Sequence, residues 1–313
     1  MKQTNKYFVF SDVHGELDAL REALLAAGYD KNNPRHFLVS CGDAFDRGPK
    51  SVDIYRLLKE RPKNTIAIKG NHDCFFQEYL EKGMDGEFVL FNILHNGLGA
   101  TIQSFTGITE NLFNPELVDK ARKNIPGHVL EWFKNMPLYF ETKNFIFCHA
   151  GINPNLENWK DTDEHYMLWD IEDSFQQIHN VHNKGVVIGH HHAFRVRNQM
   201  KEHGYKPQEL GNFLYFLEPT EPRGIVSYGN TDEHAPVVNG NKIAIDGCTN
   251  YTKKVNVLVI EDYPKDDEEE TITATKPNDP TPESIWFNDA EGMRVYSYAT
   301  AGTTDTFTIR YRG

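Results

Sequence analysis

One pattern recurs along the first two hundred residues: a short apolar run of strand length that stops abruptly in a cluster of Asp, His, Asn and Gly. Tyr7-Phe8-Val9-Phe10 runs into Ser11-Asp12-Val13-His14-Gly15, His36-Phe37-Leu38-Val39-Ser40-Cys41 into Gly42-Asp43, and Thr65-Ile66-Ala67-Ile68-Lys69 into Gly70-Asn71-His72-Asp73. Later, Phe145-Ile146-Phe147-Cys148 ends in His149-Ala150-Gly151, and Gly185-Val186-Val187-Ile188 in Gly189-His190. Between the first three runs, Leu17, Leu20, Leu24 and Leu25 predict a helix over 16–27, and Val52, Tyr55 and Leu58 one over 51–60. Strand, helix and strand in that order predict βαβ units, whose right-handed crossovers leave the carboxyl ends of parallel strands on one sheet edge. Ligands bind outside that edge in open α/β sheets, so the polar clusters are expected to converge there.

From Cys74 to Asn144 the pattern is mostly helical, with amphipathic stretches at 75–80, 115–123 and 128–134, expected to cap one side of the site. The Gly- and Pro-rich segment 195–242 reads as a long loop region, with room for a hairpin. Strand-like runs at 243–245 and 255–260 suggest a second sheet packed on the first. The division expected is a catalytic domain over 1–262, an acidic, Pro-containing linker over 263–282 and a C-terminal β-hairpin appendage over 283–313. Alternation at 295–298 and 307–311 carries the hairpin, read first as an added edge on the parent sheet and second as an interaction element.

Composition narrows the class. The 313 residues are 39% hydrophobic and 25% charged, which is ordinary for a globular chain. No apolar run approaches the ~18 residues a membrane span needs, and the start shows no signal-peptide pattern. A formal net charge of −12 disfavours stable nucleic-acid binding and adhesion to anionic membranes. Cys41, Cys74, Cys148 and Cys248 form no C-x-x-C pair and sit beside apolar residues, so they are read as reduced, and the protein as cytoplasmic.

Asp12, His14, Asp43, Asn71, His149 and His190 offer a metal carboxylate and amide oxygens plus imidazole nitrogens, a set that suits manganese, iron or zinc better than calcium. Asp12 and His14 are two apart, so if the chain stays extended there both face one way and can grip one ion. Asp43 can bridge to a second ion, which Asn71, His149 and His190 complete. Two ions about 3.5–4 Å apart bring water towards hydroxide and neutralise an attacked phosphate. Arg47 offers a fork for the free phosphate oxygens. His72, beside Asn71 and with Asp46 to raise its pKa, can protonate the leaving oxygen. Nucleotide-kinase, Rossmann and serine-hydrolase motifs are absent.

Asp-x-His-Gly, Gly-Asp-x-x-Asp-Arg-Gly, Gly-Asn-His-Asp, His-Ala-Gly and Gly-His, in that order, resemble the phosphoprotein phosphatase family, phage and bacterial branch, of the calcineurin-like metallophosphoesterase superfamily. The resemblance covers residues 6–262. It implies an α/β fold of two β-sheets sandwiched between helices, with Asp12, His14 and Asp43 on the first metal and Asp43, Asn71, His149 and His190 on the second. It further implies Arg47 on phosphate and His72 paired with Asp46 as the acid. Gly189-His190-His191-His192 also fits the G-H-x-H ending of the wider superfamily, which would add His192 to the first metal.

Two features bear on substrate. The second phosphate-gripping arginine that such protein phosphatases usually carry after a Leu-Trp pair is missing, since residues 152–188 contain no arginine; Lys69, Arg195 or Arg197 are the substitutes available. Asp46-Arg47-Gly48 favours a phosphatase acting on monoesters, because symmetrical diadenosine tetraphosphatases commonly lack the equivalent of Asp46. The leading expectation is a manganese-dependent phosphomonoesterase, with iron or zinc as other metals, acting on phosphoserine or phosphothreonine in proteins or on a small phosphoester. The alternative is a hydrolase of dinucleoside polyphosphates or of terminal nucleic-acid phosphates. A non-catalytic metal-binding scaffold is the remote third reading.

Overall fold

The computed structural model describes residues 4–108, 112–170, 178, 180–181, 184–208, 210 and 225–262, and the backbone of 287–289 and 292–294. Strands β1 (Asn5–Phe10), β2 (His36–Cys41) and β3 (Thr65–Ile68) lie parallel, joined by helices α1 (Leu17–Ala26) and α2 (Ser51–Glu60). Helices α3 (Asn71–Lys82), α4 (Val89–His95), α5 (Leu98–Thr106), α6 (Pro115–Arg122) and α7 (Gly127–Lys134) follow. The chain then forms β4 (Tyr139–Glu141), β5 (Phe145–Cys148), helix α8 (Glu164–Trp169), β6 (Gly185–Ile188), helix α9 (Ala193–Glu202), β7 (Ile225–Tyr228), β8 (Val237–Asn239), β9 (Lys242–Ala244), the short α10 (Thr249–Thr252) and β10 (Val257–Asp262).

Two five-stranded sheets result, ordered β3-β2-β1-β10-β7 and β4-β5-β6-β9-β8. Their strands are apolar on both faces because both faces are covered. Tyr7, Val9, Val39 and Leu258 of the first sheet meet Phe145, Phe147, Val187 and Ile243 of the second in one buried layer. Phe8, Phe10 and Leu38 point outward onto Leu17, Leu20, Ile54 and Phe76 of the helices. Ile146, Val186 and Ile188 do the same on the far side, against Met167, Leu168 and Val196. This is the sandwich of two sheets between helices that the resemblance implied. No helix among the described residues is long and apolar enough to cross a membrane.

The structure departs from the sequence pattern in four places. Leu25 is 80% exposed, and Ala23 takes its place among the buried positions of α1 beside Leu17, Leu20 and Leu24. Residues 195–202 are helical, within α9, where Gly and Pro farther along suggested a loop region; the hairpin for which that segment left room is β8 and β9, paired antiparallel. The runs at 243–245 and 255–260 do not share a sheet: β9 lies parallel to β6 in the second, whereas β10 pairs antiparallel with β1 in the first. The helical middle section also hides β4, an edge strand of three residues antiparallel to β5. Three residues carry too little periodicity to distinguish strand from helix. Of the C-terminal region, Phe287–Asp289 and Gly292–Arg294 pair as antiparallel strands β11 and β12. All of the segment 263–282, the runs at 295–298 and 307–311, and all of 171–177 lie outside the described residues.

Candidate metal centre

The five polar clusters come together, but from two sheets: Asp12, His14, Asp43, Asn71 and His72 follow β1 to β3, and His149 and His190 follow β5 and β6. Backbone bonds tie the first two loops to each other, Asp12 N donating to Gly42 O and His14 N to Asp43 O, each at 3.1 Å. Among the described residues, eight non-glycines have positive φ, and six of them are Asp12, His14, Asp43, Asp46, Arg47 and His190. Such backbone costs roughly 1–3 kcal/mol per residue and persists only where surroundings over-determine it. The strain turns successive polar side chains inward from tight loops. Gly42, at φ +87°, lies so close to the His149 ring that a Cβ there would strike it.

Asp43 is central. Its Oδ1 lies 3.4 Å from His149 Nε2, and its Oδ2 lies 3.9 Å from both His14 Nε2 and His72 Nε2, so the two carboxylate oxygens address different groups. The ligand atoms of His14, Asp43 and His72 lie within 4.8 Å of one another, as do those of Asp43, His149 and His190. Burial would raise the Asp43 pKa, but His149, His72 and His14 outweigh it and hold the carboxyl well below its ordinary range. Asp12, whose Oδ2 accepts from Ser11 Oγ and from His190 N at 2.9 Å, is pushed up to about 6 by burial, with Asp43 adding to the effect.

The histidines are set to present lone pairs inward. His14 Nδ1 donates to Phe45 O at 2.9 Å and His149 Nδ1 to Cys41 O at 2.8 Å, which leaves Nε2 of each as the inward atom. Burial, with His72 and Arg47 adding, holds His14 well below its ordinary pKa; burial and His149 bring His190 down to about 2. Asn71 Oδ1 sits 2.9 Å from His149 Nε2. With the His149 proton on Nδ1, two lone pairs face each other there, an arrangement a cation between them reconciles. Buried carboxylates ringed by imidazole nitrogens and an amide oxygen are a donor set that fits divalent metal.

Beside this set lies a second constellation. His72 Nδ1 donates to Asp46 Oδ2 at 2.9 Å, and Asp46 is further held by Thr101, which accepts from Asp46 N and donates to Asp46 Oδ1, both at 2.7 Å. Burial would lower the His72 pKa, but Asp43 and Asp46 outweigh it and raise it. Burial raises Asp46, with its bonds to His72 and Thr101 pulling the other way. Arg47, an exposed residue anchored by Arg47 N to Gly97 O at 3.0 Å, extends its guanidinium to His14 Nε2 at 2.8 Å and His72 Nε2 at 3.0 Å.

Sequence reading passed over several supports. Asp73 Oδ2 accepts from Gly70 N at 2.7 Å and Asp43 N at 3.2 Å, clamping two motif loops together. Thr101 stands 55 residues from Asp46 in an unremarked stretch of α5, so no local signal marks it. Asp246 is buried, with Oδ2 3.6 Å from His192 Nε2. Asp12 and His192 both fall outside the two ligand groups among the described residues. Of the three stand-ins for a second arginine, Arg197 donates to the Ala235 and Pro236 carbonyls, Arg195 lies over the Phe194 ring, and Lys69 is buried against Gln77 Oε1 at 3.0 Å.

A buried group of carboxylates and imidazoles at the strand ends of a double sheet defines a metal-dependent phosphoester hydrolase fold. The chain belongs to the calcineurin-like phosphoesterase family, whose model matches residues 6–229. It is 30% identical over 166 residues to the asymmetrical bis(5'-nucleosyl)-tetraphosphatase PrpE of Oceanobacillus iheyensis, covering 50% of this chain and 60% of that protein. It is 26% identical over 147 residues to a symmetrical bis(5'-nucleosyl)-tetraphosphatase of Vibrio vulnificus, covering 47% and 45%. The chain thus spans between about half and three fifths of the length of these curated relatives. Among solved structures, a serine/threonine phosphatase of Saccharomyces cerevisiae aligns at a TM-score of 0.42 with 14% identity, covering 85% of this chain and 82% of that one.

Proposed function

We propose that this phosphoesterase cleaves dinucleoside polyphosphates, the alternative substrate class, in preference to phosphoserine or phosphothreonine in proteins. The observation that carries this is the shortage of cationic side chains at the site among the described residues. Arg47 is one fork, Arg197 is committed to backbone carbonyls, and 152–188 holds no arginine. A terminal phosphate dianion presents three free oxygens and two charges, whereas an interior phosphate of a polyphosphate presents two oxygens and one charge. One guanidinium suits the second better. The names of the two tetraphosphatase relatives agree with this reading.

The donor set is proposed to hold two divalent ions, manganese first: Asp12, His14 and Asp43 on one, Asp43, Asn71, His149 and His190 on the other. When bound, these ions supply an activated water and charge neutralisation at the attacked phosphorus. Arg47 turns from the histidines to the phosphate oxygens. That releases His72 Nε2, which carries the proton for the leaving oxygen while Asp46 holds Nδ1–H and the ring's orientation.

The test compares kcat/KM of metal-stripped, manganese-reloaded protein on diadenosine tetraphosphate, a phosphothreonine peptide and p-nitrophenyl phosphate. A dinucleotide preference of tenfold or more is expected, and chromatography then shows whether the cut is symmetrical. An equal or better rate on the peptide overturns the reading.

A further inference from the structure

Aromatic rings lead out of the metal centre. The His72 ring lies 4.9 Å from Phe75, Phe75 lies 5.9 Å from Trp169, and Trp169 lies 6.1 Å from His190, so this wall touches both the proton donor and a metal-ligand candidate. It forms one side of a cleft of about 670 Å³, within the range of small-ligand sites. The start of α4 also lines it, with Phe88 and Phe91 54% and 55% exposed. Four large aromatic rings lining one open cleft offer a surface on which a further flat ring can stack.

Two further features identify the layer. Asn92, at the base of the cleft, is 2% exposed; its Oδ1 accepts from Asn96 Nδ2 at 2.6 Å, and its Nδ2 is buried with no acceptor. A buried amide donor without an acceptor is costly unless a ligand supplies one. Charge then decides the chemistry. Glu78, Glu81 and Glu164 line the cleft against Lys69 and Lys82, so carboxylates outnumber ammonium groups and a phosphate chain is disfavoured there. A flat, neutral ring with acceptor nitrogens meets every condition.

We propose that this cleft is a purine-base subsite: one base of the nucleotide substrate stacks on the Phe75–Trp169 wall beside Phe91, and the Asn92 amide, shielded in this structure, turns to donate Nδ2–H to a ring nitrogen. The phosphate chain then runs the short way to Arg47 and the metal ligands. This rests on the dinucleotide reading for its substrate, but it is tested apart from catalysis.

Equilibrium dialysis of adenosine against the manganese-loaded full chain isolates the base and ribose, because adenosine has no phosphate for the metals or Arg47. Saturable binding is expected, stronger than for uridine, and weakened about tenfold in Phe91→Ala, whose ring is exposed, and in Asn92→Leu, which keeps the volume and removes the donor. In parallel, the ratio of kcat/KM on diadenosine tetraphosphate to that on p-nitrophenyl phosphate falls about tenfold in both variants, chiefly through KM. No saturable adenosine binding by the native chain, or equal binding by both variants, overturns the subsite even if the dinucleotide is cleaved. Adenosine binding without dinucleotide turnover overturns the substrate reading and leaves the subsite standing. Displacement of adenosine by an apolar, non-phosphorylated peptide at lower concentration would assign the cleft to a protein substrate instead.

Discussion

At the metal centre, Asp12, His14 and Asp43 are buried on strained backbone with His149 buried beside them, each side chain held by hydrogen bonds or close polar contacts. In the adjoining cleft, Phe88 and Phe91 are half-exposed on a seven-residue helix. The first region is built for one geometry, since a buried carboxylate or imidazole without its partners is heavily penalised. The second gains from apolar contact of no fixed direction, so its residues can change with little consequence for folding. Reaction class is therefore written in the rigid region and substrate choice in the permissive one, and substitutions in the two should separate metal binding, turnover and selectivity.

The largest effect expected is at the shared carboxylate. Asp43→Asn should lose bound metal and reduce turnover to background, as chelation of the native protein should; metal analysis alongside activity checks both. Retention of two ions per chain with full activity would remove Asp43 from the bridging position. His72→Asn comes next. It should keep the metals and lose about 10²–10⁴-fold in kcat on substrates with poor leaving groups, with a smaller loss on p-nitrophenyl phosphate. Equal losses on both would exclude His72 as the proton donor.

Arg47→Lys should raise KM more than it lowers kcat, because an ammonium replaces the two-pronged fork with a point charge. Steady-state kinetics on the dinucleotide decide it, and an unchanged KM would mean that phosphate is held elsewhere. Thr101→Val tests a contact the sequence does not advertise. Removing the hydroxyl leaves the buried Asp46 short of two bonds and should cost about 1–3 kcal/mol of stability, together with a shifted acid limb in the pH–rate profile. A stability loss with no change in that profile would reduce Thr101 to packing.

The smallest effect lies away from both regions, at Glu141 on β4. Burial would raise its pKa, but Lys184 at 2.6 Å and Lys160 at 3.1 Å outweigh it and hold the carboxyl below its ordinary value. A depressed carboxylate stabilises the fold above the unfolded-state pKa of about 4.3, and that stabilisation is lost as pH falls through the lower folded-state value. Glu141→Gln should therefore be less stable than the native chain by about 1 kcal/mol at neutral pH, with the gap closing below about pH 4. Thermal midpoints measured across pH check the sign.

Much of the centre was legible because its pieces are local. A strand ending in a tight turn must spend Gly, Asp, Asn or His within two or three residues, so each cluster announces itself in a short window. The helices α1 and α2 were legible for the same reason, their apolar spacing being complete within ten residues. What joins those windows was not. Thr101 under Asp46, Asp73 across to Asp43 N, and the cleft that Phe91 and Trp169 share depend on chain separated by up to eighty residues, and no spacing rule reaches that far.

By itself, the sequence determined which residue types gather at strand ends, and hence a phosphoesterase with a buried ligand set of carboxylates and imidazoles. Only the tertiary structure decided that two sheets supply that set, that β9 and β10 part company between them, and that Asn92 keeps a donor unpaired inside an aromatic cleft. The physical reason is that strand and helix formation follow from short-range periodicity, whereas sheet partnership and cleft shape follow from which apolar faces bury each other across the whole chain.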